Sequence, residues 1–549
     1  MTLYLITFLF SMLLTIALTP IFCWMALRWG FSLDVPDERK MHRQPIPRVG
    51  GFAITLGIIA SMAFWGEVSD FVKAVFMGGG VIVFLGLVDD IRGLRFRTKF
   101  AGQLAASFLV IFVGGFQITD LGTIVPGVSS LSPFVSIPLT AFVIVGVTNA
   151  INLADGLDGL AGGICMLSFF AIAYFAHSLE VFDIAFMALA VSGAIFGFLR
   201  FNTYPSTIFM GDTGSQLLGF LVVTLSLKLT QNHGPVSPFV PLMIVGFPII
   251  DTLVVMTERI AAGKCPFLPD KNHLHHKLIK LGFFHSEAVI SLYFLQVIYV
   301  TSAYIFRFYT DGFVLSAYLI FSALVVSLLL TAERSGYQIK RFFLFDKIIK
   351  GKLHELKENN LLIKISFRFI LVSLPLLLLF TCIVPARFPP IMEQMSLVSI
   401  IILLSISALK KDWLGTIVRT TLFITIPFVV YFSEVDPGQW ISAQMYHIYE
   451  VWGVVTILFI ILTMKLTRRS DRLKATPLHI LILLMALIIP NLPGASAPNF
   501  HLGMVAVKII FFFFGFEVLF GELRDKMNWL GLVSLLSFVT LLLKSNLGF

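Results

Sequence analysis

Charge is what this chain has least of. Only 13% of its 549 residues are Asp, Glu, Lys or Arg, against roughly 25% in soluble globular proteins, so a string of soluble domains is excluded. Cysteine is scarce as well. Cys23, Cys165, Cys265 and Cys382 show no paired spacing, which argues against a disulfide framework or a Cys-based metal site. No basic stretch precedes the first apolar run, the first charged residue being Arg28, so that run does not read as a cleavable signal. Internal repeats and low-complexity tracts are missing too. What abounds is apolar: 57% hydrophobic residues, 56 phenylalanines and a mean hydropathy of +0.92. So many aromatic residues exclude disorder. The composition predicts an all-α polytopic integral membrane protein.

The run from Leu3 to Leu27 is long enough to cross a hydrocarbon core of about 30 Å. Hydropathy predicts about 11 transmembrane helices before residue 331, with cores near 3–27, 51–66, 71–88, 100–115, 134–148, 159–177, 181–199, 213–230, 238–257, 288–306 and 312–330. A charged stretch, 331–365, follows, and about seven further spans begin near 366, 395, 413, 443, 476, 502 and 528. The expected organisation is a first block over 1–330, a basic cytosolic linker over 331–365, and a C-terminal transmembrane block over 366–549. The linker suits an amphipathic helix on anionic headgroups. With the N-terminus outside, 33 of the 40 Lys and Arg residues fall in inner loops, as the positive-inside rule requires. The basic charge is therefore a membrane-face signal, and nucleic acid is not needed to explain it.

The informative residues lie in the five inner loops of the first block. The first loop, Asp34 to Gly51, crowds Arg39, Lys40, His42, Arg43 and Arg48 among three prolines and two glycines. Orienting charge alone needs no Pro-x-Pro-Arg-x-Gly-Gly frame, so a phosphate-contacting loop is expected. The second opens with Asp89 and Asp90 at a helix C-terminus, where the macrodipole disfavours anions. Arg92 and Arg95 would compensate; a divalent cation or a transferred proton would also explain having two acids. In the third, TNAINLADGLDGLAGG, Asn152, Asp155 and Asp158 recur every three residues and are expected to share one side of a helical turn. The fourth ends in FMGDTGS, where Asp212 is either an N-cap or part of a Mg²⁺–phosphate corner. The fifth holds His273, His275 and His276 between Lys271 and Lys277. No cysteine or carboxylate completes a tetrahedral zinc set there, and histidines among lysines suit an anionic phosphate. Asp251, after Pro248 inside the ninth span, is an intramembrane acid and so a functional candidate; a helix-break or core hydrogen-bonding role fits it equally. All five loops share one face under a topology drawn from Lys and Arg alone. Such a site suits phosphoryl transfer, where catalysis is mostly positioning and charge neutralisation around Mg²⁺.

The strings VDD, NLADGLDGL, FMGDTGS and HLHH, with the PIPRVGG loop, resemble the polyprenyl-phosphate N-acetylhexosamine-1-phosphate transferases, in order over about residues 1–350. The His-x-His-His form and the Pro-Arg-x-Gly-Gly loop are similar to the branch that uses UDP-N-acetylglucosamine. The resemblance implies transfer of a sugar 1-phosphate from a UDP-sugar to undecaprenyl phosphate, with release of UMP and with Mg²⁺ (or Mn²⁺) as cofactor. It places the reaction at the cytoplasmic face of a bacterial inner membrane, as the committing step of envelope polysaccharides such as cell wall or lipopolysaccharide O-antigen. By motif, Asp212 would bind the metal, and Asp89 or Asp90 would serve as base, or as nucleophile in a two-step scheme. The Asn152, Asp155 and Asp158 group would hold the nucleotide and assist the metal. His273, His275 and His276 would lie near phosphate or sugar, and Arg39, Lys40, His42, Arg48 and Lys271 would contact substrate. Lys271 departs from the Arg usual in that string and loses its bidentate fork. Residues 366–549 match nothing in the family core. Beyond the UDP-sugar, undecaprenyl phosphate and membrane lipids, the partners allowed are a second copy of the chain or downstream glycosyltransferases. A transporter or flippase of lipid-linked sugars would set its polar groups near the midplane, often within repeats, and these cluster at helix ends. An inactive scaffold would not need the full acid set.

Overall fold

With no water in the hydrocarbon to bond to, a spanning backbone must satisfy itself, and long apolar runs become helices. The computed structural model describes residues 2–35, 44–65, 68–124, 130–231, 236–264, 273–338, 360–409, 411–466, 502–523 and 527–547. They fall into two compact units, one drawn from residues 1–339 and one from 340–475 and 482–549. Among the described residues, 12 helices are long and apolar enough to span a membrane, and three shorter apolar helices accompany them. The chain is an all-α polytopic membrane protein.

The first unit runs α1 (Thr2–Trp29), α2 (Gly50–Trp65), α3 (Asp70–Arg92), α4 (Phe96–Phe108), α5 (Pro133–Ala154), α6 (Leu160–Ser178) and α7 (Phe182–Asn202). It continues through α8 (Gly211–Thr230), α9 (Val240–Ile244), α10 (Gly246–Ala261), α11 (Leu274–Lys280), α12 (His285–Phe306) and α13 (Asp311–Arg334). A two-residue antiparallel pair, β1 (Leu33–Asp34) with β2 (Ile46–Pro47), closes the base of the first loop. The centre is α8, which is almost wholly buried, whereas α13 is mostly exposed on the unit's surface. Lipid is as apolar as leucine, so helices associate through close packing and polar contacts. Ser11 Oγ on α1 donates to Ala190 O on α7 at 2.7 Å, and Ser61 Oγ on α2 donates to Thr7 O at 3.0 Å. At Gly193 on α7 a side chain would strike the backbone carbonyl of Phe8.

The ninth span, expected to be continuous over 238–257, is broken at Val245 into α9 and α10. The break holds because its freed backbone groups find side-chain partners. Ile244 O accepts from Ser168 Oγ at 2.7 Å and from Gln296 Nε2 at 2.7 Å, while Phe247 N donates to Gln296 Oε1 at 3.3 Å. One glutamine on α12 thus bridges both sides of the gap. Gly246 packs against the Tyr299 ring, where any larger residue would collide.

The second unit comprises α14 (Asn360–Ile383), α15 (Pro390–Leu409), α16 (Lys411–Val435), α17 (Ala443–Leu466), α18 (Leu502–Glu522) and α19 (Met527–Leu547). These match six of the seven expected spans; the one near 476 lies outside the described residues, as does most of the 331–365 linker. Lys508 and Glu517, too far apart on α18 to pair with each other, each pair with α16: Lys508 with Glu434, and Glu517 with Arg419. Tyr446 Oη on α17 donates to Glu434 at 2.6 Å and accepts from Lys508 Nζ at 3.0 Å. Trp452 Nε1 donates to Ser373 Oγ at 2.7 Å, tying α17 to α14.

Candidate active site

The two adjacent acids at the end of α3 face different ways. Asp90 reaches the start of α8, accepting from Asp212 N at 2.9 Å, Thr213 N at 3.0 Å and Thr213 Oγ1 at 2.7 Å. The residue at the N-cap position of α8, Met210, offers no side-chain acceptor, so Asp90 caps that helix from another segment. This removes one of the two readings of Asp212. It is the second residue of α8, not its cap, and its carboxylate is left for other work. Close approach makes the arrangement possible: at Gly86 a Cβ would stand 2.6 Å from Thr213 Cα, and Gly211, at φ +71°, leaves room for the Asp90 carboxylate.

Asp89 accepts from Leu94 N at 2.5 Å and meets Lys99 Nζ at 2.5 Å. The same ammonium lies 2.6 Å from Asp212 Oδ2, which also accepts from Gln216 Nε2 at 3.2 Å. Lys99, on the first turn of α4, therefore bridges two carboxylates from α3 and α8. The dipole of α8 favours anions at this end, so acids and bound phosphate are welcome in the same place.

The third loop supplies two more acids, but not along one helical face as its spacing suggests. Helix α5 stops at Ala154, and Asp155 and Asp158 lie in the turn that follows. Gly159, at φ +81°, sets that turn; its N–H donates to Asn202 Oδ1 at 3.0 Å and its carbonyl accepts from Tyr293 Oη at 2.7 Å. Asn152, still on α5, accepts from Ser215 Oγ at 3.3 Å and reaches the Asp212 carboxylate. The Asp155 carboxyl is pushed up to about 7, first by burial and then by Asp212, Asp158 and Asp90. Asp158 is otherwise engaged: Oδ2 accepts from Ser206 N at 3.0 Å, and its own N–H donates to His285 Nε2 at 3.2 Å.

The histidine motif sits on α11 and the residue before it. His273 Nδ1 is 2.9 Å from Asp251 Oδ2, and Leu274 N donates to Asp251 Oδ1 at 2.6 Å. The His275 ring packs against Gly156, beside Asp155, and is 1% exposed. Neither of its nitrogens has a hydrogen-bond partner among the described residues. Burial, then His276, pushes its pKa down to about 3, so the ring is neutral. The His276 ring lies tilted against it at 4.2 Å between centroids. Lys277, read from sequence as part of a phosphate-binding cluster, is instead buried and paired with Glu258 and Glu333.

The first loop contributes mostly architecture. Gly50 N and Gly51 N donate to Phe209 O and Met210 O at 3.0 and 2.9 Å, and Gly51 abuts Gly214. This is what the Gly-Gly of the Pro-Arg-x-Gly-Gly frame does: it lets the loop lie on the start of α8. The Arg48 guanidinium pairs with Asp34. Arg39, Lys40, His42 and Lys271 lie outside the described residues. Thus Asp89, Asp90, Asn152 and Asp155 gather around Asp212, with Lys99 between Asp212 and Asp89; His275 approaches them through Gly156, and Arg48 is held by Asp34. Sequence reasoning missed Lys99, Thr213, Asn202 and Tyr293; Lys99 was one cation among Arg92, Arg95 and Arg97 and looked like face charge.

No three of the described acid, His or Cys side chains stand close enough to hold a metal by themselves. The donor set still fits Mg²⁺, which typically takes one or two carboxylates and completes its shell with phosphate oxygens and water. The crowding that keeps Asp155 partly protonated is what a divalent cation would relieve.

Carboxylates, one ammonium and a helix N-terminus gathered at one end of a polytopic helical unit define a membrane-bound phosphotransferase. Glycosyl transferase family 4 matches residues 72–230, which take in Asp89, Asp90, Asn152, Asp155, Asp158 and Asp212. The "probable undecaprenyl-phosphate N-acetylglucosaminyl 1-phosphate transferase" of Bacillus subtilis is 35% identical over 349 residues, 63% of this chain and 96% of that protein. A decaprenyl-phosphate N-acetylglucosaminephosphotransferase of Mycolicibacterium smegmatis is 36% identical over 306 residues, 49% of this chain and 73% of its own length. The undecaprenyl-phosphate alpha-N-acetylglucosaminyl 1-phosphate transferase of Escherichia coli K12 is 30% identical over 334 residues, 60% and 89% of the two chains. The chain belongs to this family of polyprenyl-phosphate N-acetylglucosaminyl 1-phosphate transferases.

Proposed function

We propose that the protein transfers N-acetylglucosamine 1-phosphate from UDP-N-acetylglucosamine to undecaprenyl phosphate at the cytoplasmic face of a bacterial inner membrane, initiating an envelope polysaccharide. The observation that carries this is Lys99 held between Asp89 and Asp212 at the start of α8. A phosphate oxygen of the lipid attacks the sugar-bearing phosphorus of the donor, the bond to the bridging oxygen breaks, and UMP leaves. Negative charge spreads over the transferring group and both flanking oxygens. The Lys99 ammonium and the α8 N-terminus lie where that charge is met.

Asp90 is occupied by three hydrogen bonds from α8, which makes it the residue that orients Asp212. Asp89 is the better-placed base for the lipid phosphate. Asp212, with Asn152 beside it and Asp155 nearby, is where Mg²⁺ would be held; the ion supplies charge neutralisation at the diphosphate. Asp158 and the Asn202–Gly159 contact fix the loop that would carry the nucleotide, and the His273–His276 motif closes the donor side. Positive-inside charge supports the cytoplasmic placement, and the relatives' names support the acceptor and the sugar. In this reading residues 1–330 carry the chemistry and 366–549 take no part in the transfer.

The test is purified protein with undecaprenyl phosphate, Mg²⁺ and a panel of UDP-sugars, reading UMP and lipid-linked product. UDP-N-acetylglucosamine should be the donor. Exclusive use of another UDP-sugar overturns the substrate, and no product with any of them overturns the reaction.

A further inference from the structure

We infer that Asp251 is a positioning residue for the histidine motif, setting both the tautomer of His273 and the start of α11. The inference rests on the function proposed above and adds to it a residue that touches no substrate. Asp251 is 1% exposed, on the second turn of α10. One carboxylate serves two donors: Oδ2 meets His273 Nδ1 at 2.9 Å, and Oδ1 accepts from Leu274 N, the first residue of α11, at 2.6 Å. An ionised carboxylate only accepts, so His273 Nδ1 must carry the hydrogen, and Nε2 is the nitrogen left to act.

The other end of α11 is gripped by the same helix. Lys277 is buried against Glu258 of α10, seven residues and about two turns beyond Asp251, on the same side. Glu333 of α13 stands 3.6 Å from the same ammonium. A seven-residue helix is too short to hold itself in water or lipid, and α11 keeps its place through these clamps. What it carries is His275 against Gly156, and so the approach of the motif to the Asp155 loop. The break at Val245 gives α10 a separate start below α9, and Asp251 lies five residues after Gly246, the first residue of α10.

Asparagine at 251 cannot do both jobs. With its oxygen toward Leu274 N, its amide presents a donor to His273 Nδ1 and forces the opposite tautomer; flipped, it leaves the start of α11 uncapped. The experiment uses the full-length protein with undecaprenyl phosphate and UDP-N-acetylglucosamine, comparing Asp251→Asn, His273→Gln and the double variant. Asp251→Asn should lower kcat/KM about 10- to 100-fold while Tm and elution stay those of the wild type. The double variant should lose no more than His273→Gln alone, within about twofold. A normal kcat/KM for Asp251→Asn, or losses that multiply, overturns the inference. Should the Asn variant not fold, Asp251→Glu keeps the charge and shifts it by one methylene, and the same non-additivity with His273→Gln is required of it. Wild-type protein that releases no UMP overturns the functional reading and this inference together; wild-type release beside an unimpaired Asp251→Asn overturns this inference alone.

Discussion

The two units treat charge among their helices in opposite ways. In the second, two cations, Arg419 and Lys508, are each paired with an acid on a neighbouring helix: Arg419 with Glu517, and Lys508 with Glu434. In the first, Asp89, Asp90, Asp155 and Asp212 converge at one end with Lys99 as the ammonium among them. Paired ions neutralise each other and need nothing further, although the desolvation they suffer means they add little stability. A surplus of carboxylates is costly unless something else completes it. The contrast separates a structural use of charge from a functional one, and it does so by counting partners rather than by recognising motifs.

The largest expected effect comes from taking one charge out of the surplus. Asp212→Asn preserves shape and can still hydrogen-bond Lys99 and Gln216. Because Asp90 supplies the cap of α8, the helix start should survive. We expect kcat to fall by at least about 10³-fold, since the lost stabilisation belongs to the charged transition state, with Tm close to wild type. UMP release at saturating substrates measures it. Near-normal turnover would mean that Asp212 holds no metal and that the surplus has another purpose.

Breaking a pair in the second unit should do the reverse. Lys508→Met leaves Glu434 buried with Tyr446 as its remaining donor, and stability should drop by about 3–5 kcal/mol. Adding Glu434→Gln should recover most of that loss. In both variants the folded fraction should release UMP within about twofold of wild type, read after separating monodisperse protein. A folded Lys508→Met protein without transferase activity would show that the second unit takes part in catalysis, and the contrast between the units would fail.

Much of this was legible because lipid leaves the chain few choices. Apolar runs had to become helices, and acids at helix ends had to have a reason, so most spans of the first unit and the gathering of Asp89, Asp90 and Asp212 at one end of it could be anticipated. Three things could not. The gap at Val245 is flanked by Gly246 and Pro248, which weaken a helix locally, but the groups that satisfy it, Ser168 and Gln296, lie 77 and 51 residues away and no local pattern points to them. Lys99 is 113 residues from Asp212, and only the packing of α4 against α5 and α3 against α8 brings the two together. The third failure is more instructive. Asn152, Asp155 and Asp158 have the spacing of a helical face, yet Gly156 and Gly159 end the helix first. Glycines that would let a ligand approach also let the chain turn, and periodicity does not distinguish the two.

The smallest effect is the most direct measure of the surplus. The Asp155 carboxyl is raised from its ordinary 3.8 to about 7, so ionising it costs the folded protein something it does not cost the unfolded chain. That cost is present in full above about pH 7 and gone below about pH 4, so its contribution to stability improves as pH falls between those limits. Asp155→Asn removes the cost at every pH. In EDTA the variant should therefore melt higher than wild type at pH 8, by on the order of 2 °C, with the difference shrinking steadily as the pH is lowered toward 4. Saturating Mg²⁺ should shrink it at pH 8 as well, because a cation that neutralises Asp212 and its neighbours removes part of what raises Asp155. Titrating groups remote from Asp155 move both proteins alike, so the difference between the two melting curves reports Asp155 together with its coupling to Asp212, Asp158 and Asp90. A gap that is constant with pH would mean that Asp155 is not crowded by its fellow acids, and the first unit would then carry no surplus at that position.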